Sequence, residues 1–135
     1  MDTYVGLKVI KAEPQECPRN VYTSWVGDPG YKVQYEDGYV SWSPAEPFEK
    51  AYRKSGNMSF GMALEALKQG RKVSRKGWNG KGMWLSLQVP DENSKMTLPY
   101  IYIEYPSGHS AYPAGSRVPW LASQTDMLTE DWGIC

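Results

Sequence analysis

An α+β protein of small antiparallel sheets and short helices is the fold class this sequence predicts, and three features carry that reading. Runs rich in aromatic and β-branched residues are short and broken by turn signals, as in YKVQYEDGYVSW, where Asp37-Gly38 supplies the positive-φ residue a hairpin requires. Two stretches carry helix start and stop signals. A third, residues 83–89, alternates apolar and polar side chains, the period of a strand with one buried face.

In chain order, residues 4–12 (YVGLKVIKA) read as a strand, and residues 13–30 are broken by prolines and show no period. Residues 31–35 and 39–42 form the hairpin. In the SPAE that follows, Ser43 suits the N-cap, Pro44 the first helical position and Glu46 the third, where it reaches back. Phe48, Ala51 and Tyr52 share a face of that helix, and Ser55-Gly56-Asn57 stops it. Residues 1–57 thus read as one small unit and residues 58–135 as a second. The second opens with Ser59 capping a helix whose Phe60, Ala63, Leu64 and Leu67 fall at i, i+3, i+4 and i+7, and Gly70 ends it. A strand over 71–75, a Gly-rich loop over 76–82 and the alternating strand over 83–89 come next. Met83, Leu85, Leu87 and Val89 lie on one side of that strand, Trp84, Ser86 and Gln88 on the other. A loop over 90–99, a strand over 100–105, a turn over 106–108, a strand over 118–122 and a helical turn over 123–128 complete the order, before the closing residues 131–134.

The chain has 135 residues, enough for one compact domain or two very small ones. Its aromatic residues are 10 Tyr and 6 Trp against 2 Phe, a balance that suits recognition surfaces, where a ring face stacks and a polar edge hydrogen-bonds, and also suits sheets. Fifteen basic residues balance 15 acidic ones, so no long-range field draws the protein onto nucleic acid or an anionic membrane. Cys17 and Cys135 lie far apart, and neither belongs to a CxxC; this argues against a zinc site or a disulfide framework and fits a reducing cytoplasm. The N-terminus lacks the pattern of a secretory leader, and no apolar window is long enough to span a membrane.

Between residues 71 and 81 the chain reads RKVSRKGWNGK, five positive charges in 11 residues with no acid. Arg75 and Lys76 can meet phosphate oxygens, glycines allow backbone N–H groups to approach an anion, and Trp78 can stack on a base. A solvated basic hairpin with Trp78 packed inward explains the same residues. The glycine spacing matches neither dinucleotide nor P-loop patterns. A second cluster, PWLASQTDMLTEDW, places Ser123, Gln124, Thr125 and Asp126 between Trp120 and Trp132. Those polar groups suit ribose hydroxyls or a base edge; equally, Ser123 or Thr125 caps the helical turn while Trp120 and Leu121 are core. Catalysis has little to stand on. His109 is the sole histidine, no nucleophile elbow surrounds Ser123, and Glu130 and Asp131 point apart as sequence neighbours. No catalytic residue, metal ligand or cofactor is expected.

The blocks MSFGMALEALKQGRKVSRKGWNGKGMW, PDENSKMTLPYIYI and VPWLASQTDMLTEDW, in this order over about 58–134, strongly resemble the Thoeris anti-defense 2 family of phage proteins. The resemblance implies a small α+β protein that forms a homotetramer and sequesters a cyclic nucleotide signal without degrading it, in the cytoplasm of the infected bacterium. That signal is glycocyclic ADP-ribose, the product of TIR-domain enzymes of Thoeris immunity, and some relatives are thought also to hold CBASS cyclic dinucleotides at a second site. By the same resemblance, Trp78 and Asn79 of the KGWNG block and Trp120 through Asp126 of the WLASQTD block carry binding roles. Residues 1–57 lie outside it and resemble a phage segment found ahead of other modules. The rival reading is a non-catalytic phage module that binds a glycan or polynucleotide.

Overall fold

A computed structural model describes residues 1–19, 26–79, 82–107 and 111–135. The chain divides into two units, Met1–Arg53 and Lys54–Cys135.

In the first unit β1 (Lys11–Pro14), β2 (Gly30–Gln34) and β3 (Val40–Pro44) form an antiparallel sheet in that order, followed by helix α1 (Ala45–Ala51). The hairpin turn closes as its residues require: Gly38 takes φ 88°, and the Asp37 carboxylate accepts the Tyr39 N–H at 2.9 Å. The strand expected over 4–12 begins only at Lys11. Pairing from Lys11↔Gln34 to Pro14↔Tyr31 confines β1 to the length of β2 that faces it, and Pro14 is tolerated because the strand is an edge. Ser43 does not cap α1. It pairs with Tyr31 in β3, its hydroxyl donates to the Pro44 carbonyl, and Pro44 occupies the cap without a side-chain hydrogen bond. Val33, Trp42 and Cys17 are buried; the Trp42 indole lies where a side chain on Gly30 would stand and donates to the Gln15 carbonyl at 2.8 Å. Tyr31, Phe48 and Tyr52 stack in series against the sheet, at 4.1 and 5.0 Å between ring centroids.

The second unit is a five-stranded antiparallel sheet ordered β7-β6-β5-β4-β8, built from β4 (Val73–Arg75), β5 (Trp84–Gln88), β6 (Tyr100–Tyr105), β7 (Ser116–Pro119) and β8 (Trp132–Ile134). In register across it runs one aliphatic row, Val118, Ile103, Leu85, Val73 and Ile134. Helix α2 (Phe60–Lys68) supplies Ala63, Ala66 and Leu67 to the same core, their i, i+3, i+4 spacing giving one apolar stripe. Ser59 caps this helix by accepting the Met62 N–H at 3.3 Å. Trp132, wholly buried, closes the core beside helix α3 (Gln124–Leu128). The opposite side of the pleat carries Trp84 and Tyr102 edge to face at 6.2 Å, with the Lys72 ammonium 3.9 Å from the Trp84 ring centre.

Three boundaries differ from the sequence reading. The strand expected over 71–75 is confined to Val73–Arg75, where both neighbours pair with it. β7 runs Ser116–Pro119 rather than 118–122, because its partners Tyr105 to Tyr102 set its register; beyond Pro119 the chain turns away after the Trp120 N–H donates to the Ile101 carbonyl at 3.0 Å. Finally, residues 55–57, read as the stop of the first unit, belong with the second. Ser55 Oγ accepts the Ile134 N–H at 2.8 Å, and Gly56 N–H donates to the Trp132 carbonyl at 2.9 Å, so this segment hydrogen-bonds along β8. Among the described residues no helix is long and apolar enough to cross a membrane.

Candidate ligand-binding site around Trp78

The two polar clusters of the sequence, residues 71–81 and 119–132, meet in the fold. Arg75 ends β4 opposite Trp132, and the chain then turns through Lys76 and Gly77 to Trp78. The Trp78 ring sits edge-on to Trp132 at 5.4 Å and to Trp120 at 6.5 Å, and Phe60 packs 5.4 Å from Trp132 and 6.0 Å from Trp120. Four aromatic rings therefore join core to surface, with Trp78 and Trp120 half-buried.

Beneath them lies a charged network. Asp126, only 8% exposed, accepts from Arg75 Nη1 at 2.7 Å and from the Trp78 indole N–H at 3.2 Å through Oδ1, and from the Ser123 N–H at 2.9 Å through Oδ2. Ser123 Oγ accepts the Asp126 N–H in return at 3.0 Å, which makes a reciprocal capping box at the start of α3. Burial alone would raise the Asp126 carboxyl; donors on Ser123, Arg75 and Trp78 outweigh it and hold the pKa down to about 2. Asp131 takes the other side of the guanidinium, with Oδ1 2.9 Å from Arg75 Nε, and it accepts the Gly77 N–H at 2.8 Å and the Thr129 hydroxyl at 3.0 Å. Its pKa is lowered as well: burial pushes it up, and Arg75, Gly77 and Thr129 more than offset this. One arginine between two carboxylates leaves the network one negative charge in excess.

This geometry gives the expected site residues two different jobs. The Arg75 guanidinium is turned inward to both aspartates, its side chain 10% exposed. Three acceptor positions of the Asp126 carboxylate are taken, out of about four on such a group. Of the alternatives open for Trp78 and for Ser123 to Asp126, the structure realises packing and capping: the indole is packed and anchored, and Ser123 and Asp126 cap the helix. Lys76 and Asn79 are exposed on the Trp78 segment, and Gln124 and Thr125 at the start of α3. Lys76 lies along Gly56, where an added Cβ would stand 2.6 Å from its Cε. Lys81, Gly80 and His109 lie outside the described residues. Among the described residues no group of three His, Cys, Asp or Glu side chains could hold a metal ion.

The sequence reading weighed Asp131 only as a catalytic carboxylate and Gly77 only as an anion-binding backbone, and passed over their contact with each other. A signal was available: an acid-free run of five cations around β4 needs carboxylates from elsewhere if its strand is to be buried, and Asp126 and Asp131 both precede the Trp132 that pairs with Arg75.

The class is that of a small sheet-and-helix unit whose tryptophan loop is locked by an ion triad and which presents aromatic and polar groups beside its core. Residues 58–135 match the model of the Tad2-like, or Thoeris anti-defense 2-like, domain, and the chain belongs to that family. It is 43% identical over 84 residues to Thoeris anti-defense 2 of Bacillus phage SP01, a match covering 57% of this chain and 93% of that relative.

Proposed function

We propose that this protein counters Thoeris immunity in the infected bacterial cytoplasm by binding and sequestering glycocyclic ADP-ribose without cleaving it. The observation that supports this most directly is the anchored Trp78: its loop is held from below by Asp126 and Asp131, while the exposed groups beside it are a cation, amides and a hydroxyl, the chemistry a nucleotide needs. Trp78 stacks the purine, Lys76 meets the diphosphate, and Asn79, Gln124 and Thr125 read ribose and base edges. Arg75, Ser123 and Asp126 serve from within, holding the loop and α3 in place, and Trp120 braces the stacking ring. Family membership supports the anti-defense role, and the relative is itself named Thoeris anti-defense 2. Assembly as a homotetramer would supply a second wall to this surface; cyclic dinucleotides of the CBASS type would occupy a separate site. The test is incubation with glycocyclic ADP-ribose, removal of free ligand, heat denaturation and chromatography. Release of intact ligand in stoichiometric amount is expected; altered ligand would mean an enzyme, and no retained ligand would favour a module for another partner.

A further inference from the structure

Asp131 bonds three successive residues of the turn that precedes Trp78. Its carboxylate takes the Arg75 Nε–H at 2.9 Å and the Gly77 N–H at 2.8 Å, and its main-chain carbonyl takes the Lys76 N–H at 3.2 Å. Thr129 Oγ1, 3.0 Å away, fixes the carboxylate from the far side. The residue at 77 shows how close this grip is. Gly77 is not among the glycines with positive φ, so the backbone there does not demand glycine; what excludes a side chain is the carboxylate itself, since a Cβ would stand 2.7 Å from Asp131 Oδ2 and 3.1 Å from Arg75 Nη2. The next residue is Trp78, whose ring is separately tied to Asp126.

We propose that Asp131 is a positioning residue for ligand binding: it holds residues 75–77 in the shape that sets the Trp78 indole, and does not touch the ligand. This rests on the reading of the Trp78 surface as the nucleotide site. Both of the donors Arg75 and Gly77 that could have faced an anion are consumed by the clamp, so the phosphate-binding capacity of this segment falls to Lys76. A loop whose geometry is fixed before binding loses less conformational entropy when the ligand arrives, so the clamp acts on affinity by preorganisation.

The experiment uses the full chain in four forms, wild type, Asp131→Ala, Gly77→Ala and the double variant, each with glycocyclic ADP-ribose as the probe. Calorimetric affinity is measured together with the nitrogen-15 resonances of the Gly77 amide and the Trp78 indole. Each single variant is expected to shift the Trp78 indole resonance, and Asp131→Ala the Gly77 amide as well, while core amides such as those of Leu85 and Ile103 stay in place, and each is expected to weaken binding by about tenfold or more. The double variant is expected to bind no worse than Asp131→Ala, because both changes release the same clamp. Affinity unchanged in Asp131→Ala, resonances unmoved, or losses that simply multiply in the double variant would each overturn the proposal. Wild type that takes up no glycocyclic ADP-ribose would instead overturn the functional reading, and the positioning role with it. Gly77→Ala keeps the test decisive should Asp131→Ala fail to fold, since it removes none of the three charged side chains.

Discussion

Asp126→Asn is the sharpest probe of the buried network, because it keeps side-chain shape and removes only the charge and one acceptor oxygen. The carboxyl lies at about 2 instead of 3.8. At about 1.4 kcal/mol per pKa unit, the ionised form contributes about 2 to 3 kcal/mol to folding at neutral pH. Little discount for solvent applies at 8% exposure. For a unit the size of Lys54–Cys135, each kcal/mol is about 4 to 8 °C of melting temperature, so the variant should melt about 10 to 20 °C lower at pH 7. The sign of the pH effect follows from the depressed value. The stabilisation is complete above the unfolded carboxyl pKa of about 3.9 and is lost as pH falls towards the folded value of about 2, so wild type should lose stability between about pH 5 and 2. Asp126→Asn should show a flatter curve over that window, keeping only the part due to Asp131, whose pKa is lowered too. Scanning calorimetry at several pH values measures both. A melting temperature at pH 7 within about 2 °C of wild type, with a parallel acid curve, would refute the structural role. If that variant were equally stable but lost glycocyclic ADP-ribose affinity, the carboxylate would be reading the ligand directly.

Trp78→Ala should cost about 1 to 3 kcal/mol of ligand binding, the value of one stacking face, while the protein still melts cooperatively; titration calorimetry with unchanged affinity would remove Trp78 from the site. A chain starting at Lys54 should fold and bind like the full protein, whereas one starting at Met58 should melt lower, because it lacks the Ser55 and Gly56 hydrogen bonds to β8; equal melting curves would show that the segment contributes nothing. Light scattering with ligand present should report a tetramer, and a strict monomer at working concentration would leave the proposed site without its second wall.

The elements that local chemistry specifies were legible in the sequence. Ser59 with its apolar i, i+3, i+4 stripe gives α2, the Asp37-Gly38 pair gives the β2–β3 turn, and the 83–89 alternation gives β5. What local chemistry leaves open is where a strand ends, since that is decided by the length of its partner. Residues 4–10 have the composition of a strand but face no part of β2. Ser43 has the chemistry of a cap, yet two more residues of pairing with β2 carry the strand through Pro44 and leave its hydroxyl beside the wrong carbonyl. Residues 55–57 look like a helix stop, but α1 already ends at Ala51, and the hydrogen bonds of Ser55 and Gly56 go to β8, at the far end of the chain.

The candidate site shows the same division for charge. Five cations without an acid in 11 residues read as an anion site because a charge in sequence is weighed against its neighbours, while in the fold it is weighed against whatever the sheet brings opposite. Here β8 lies antiparallel to β4, so Arg75 faces Trp132, and the carboxylates just before that tryptophan, 51 and 56 residues away, reach the guanidinium. Leaving Arg75 buried and unpaired would cost several kcal/mol, so pairing was required once Val73 two residues earlier had committed β4 to the core. The same pairing explains why Trp78 can be at once packed and available. Its indole N–H is bonded inward to Asp126, which leaves the position of its ring set by the core rather than by a ligand. The aromatic surface of a unit this small is thus carried by ionic contacts below it, and removing either aspartate should loosen the surface before it unfolds the sheet.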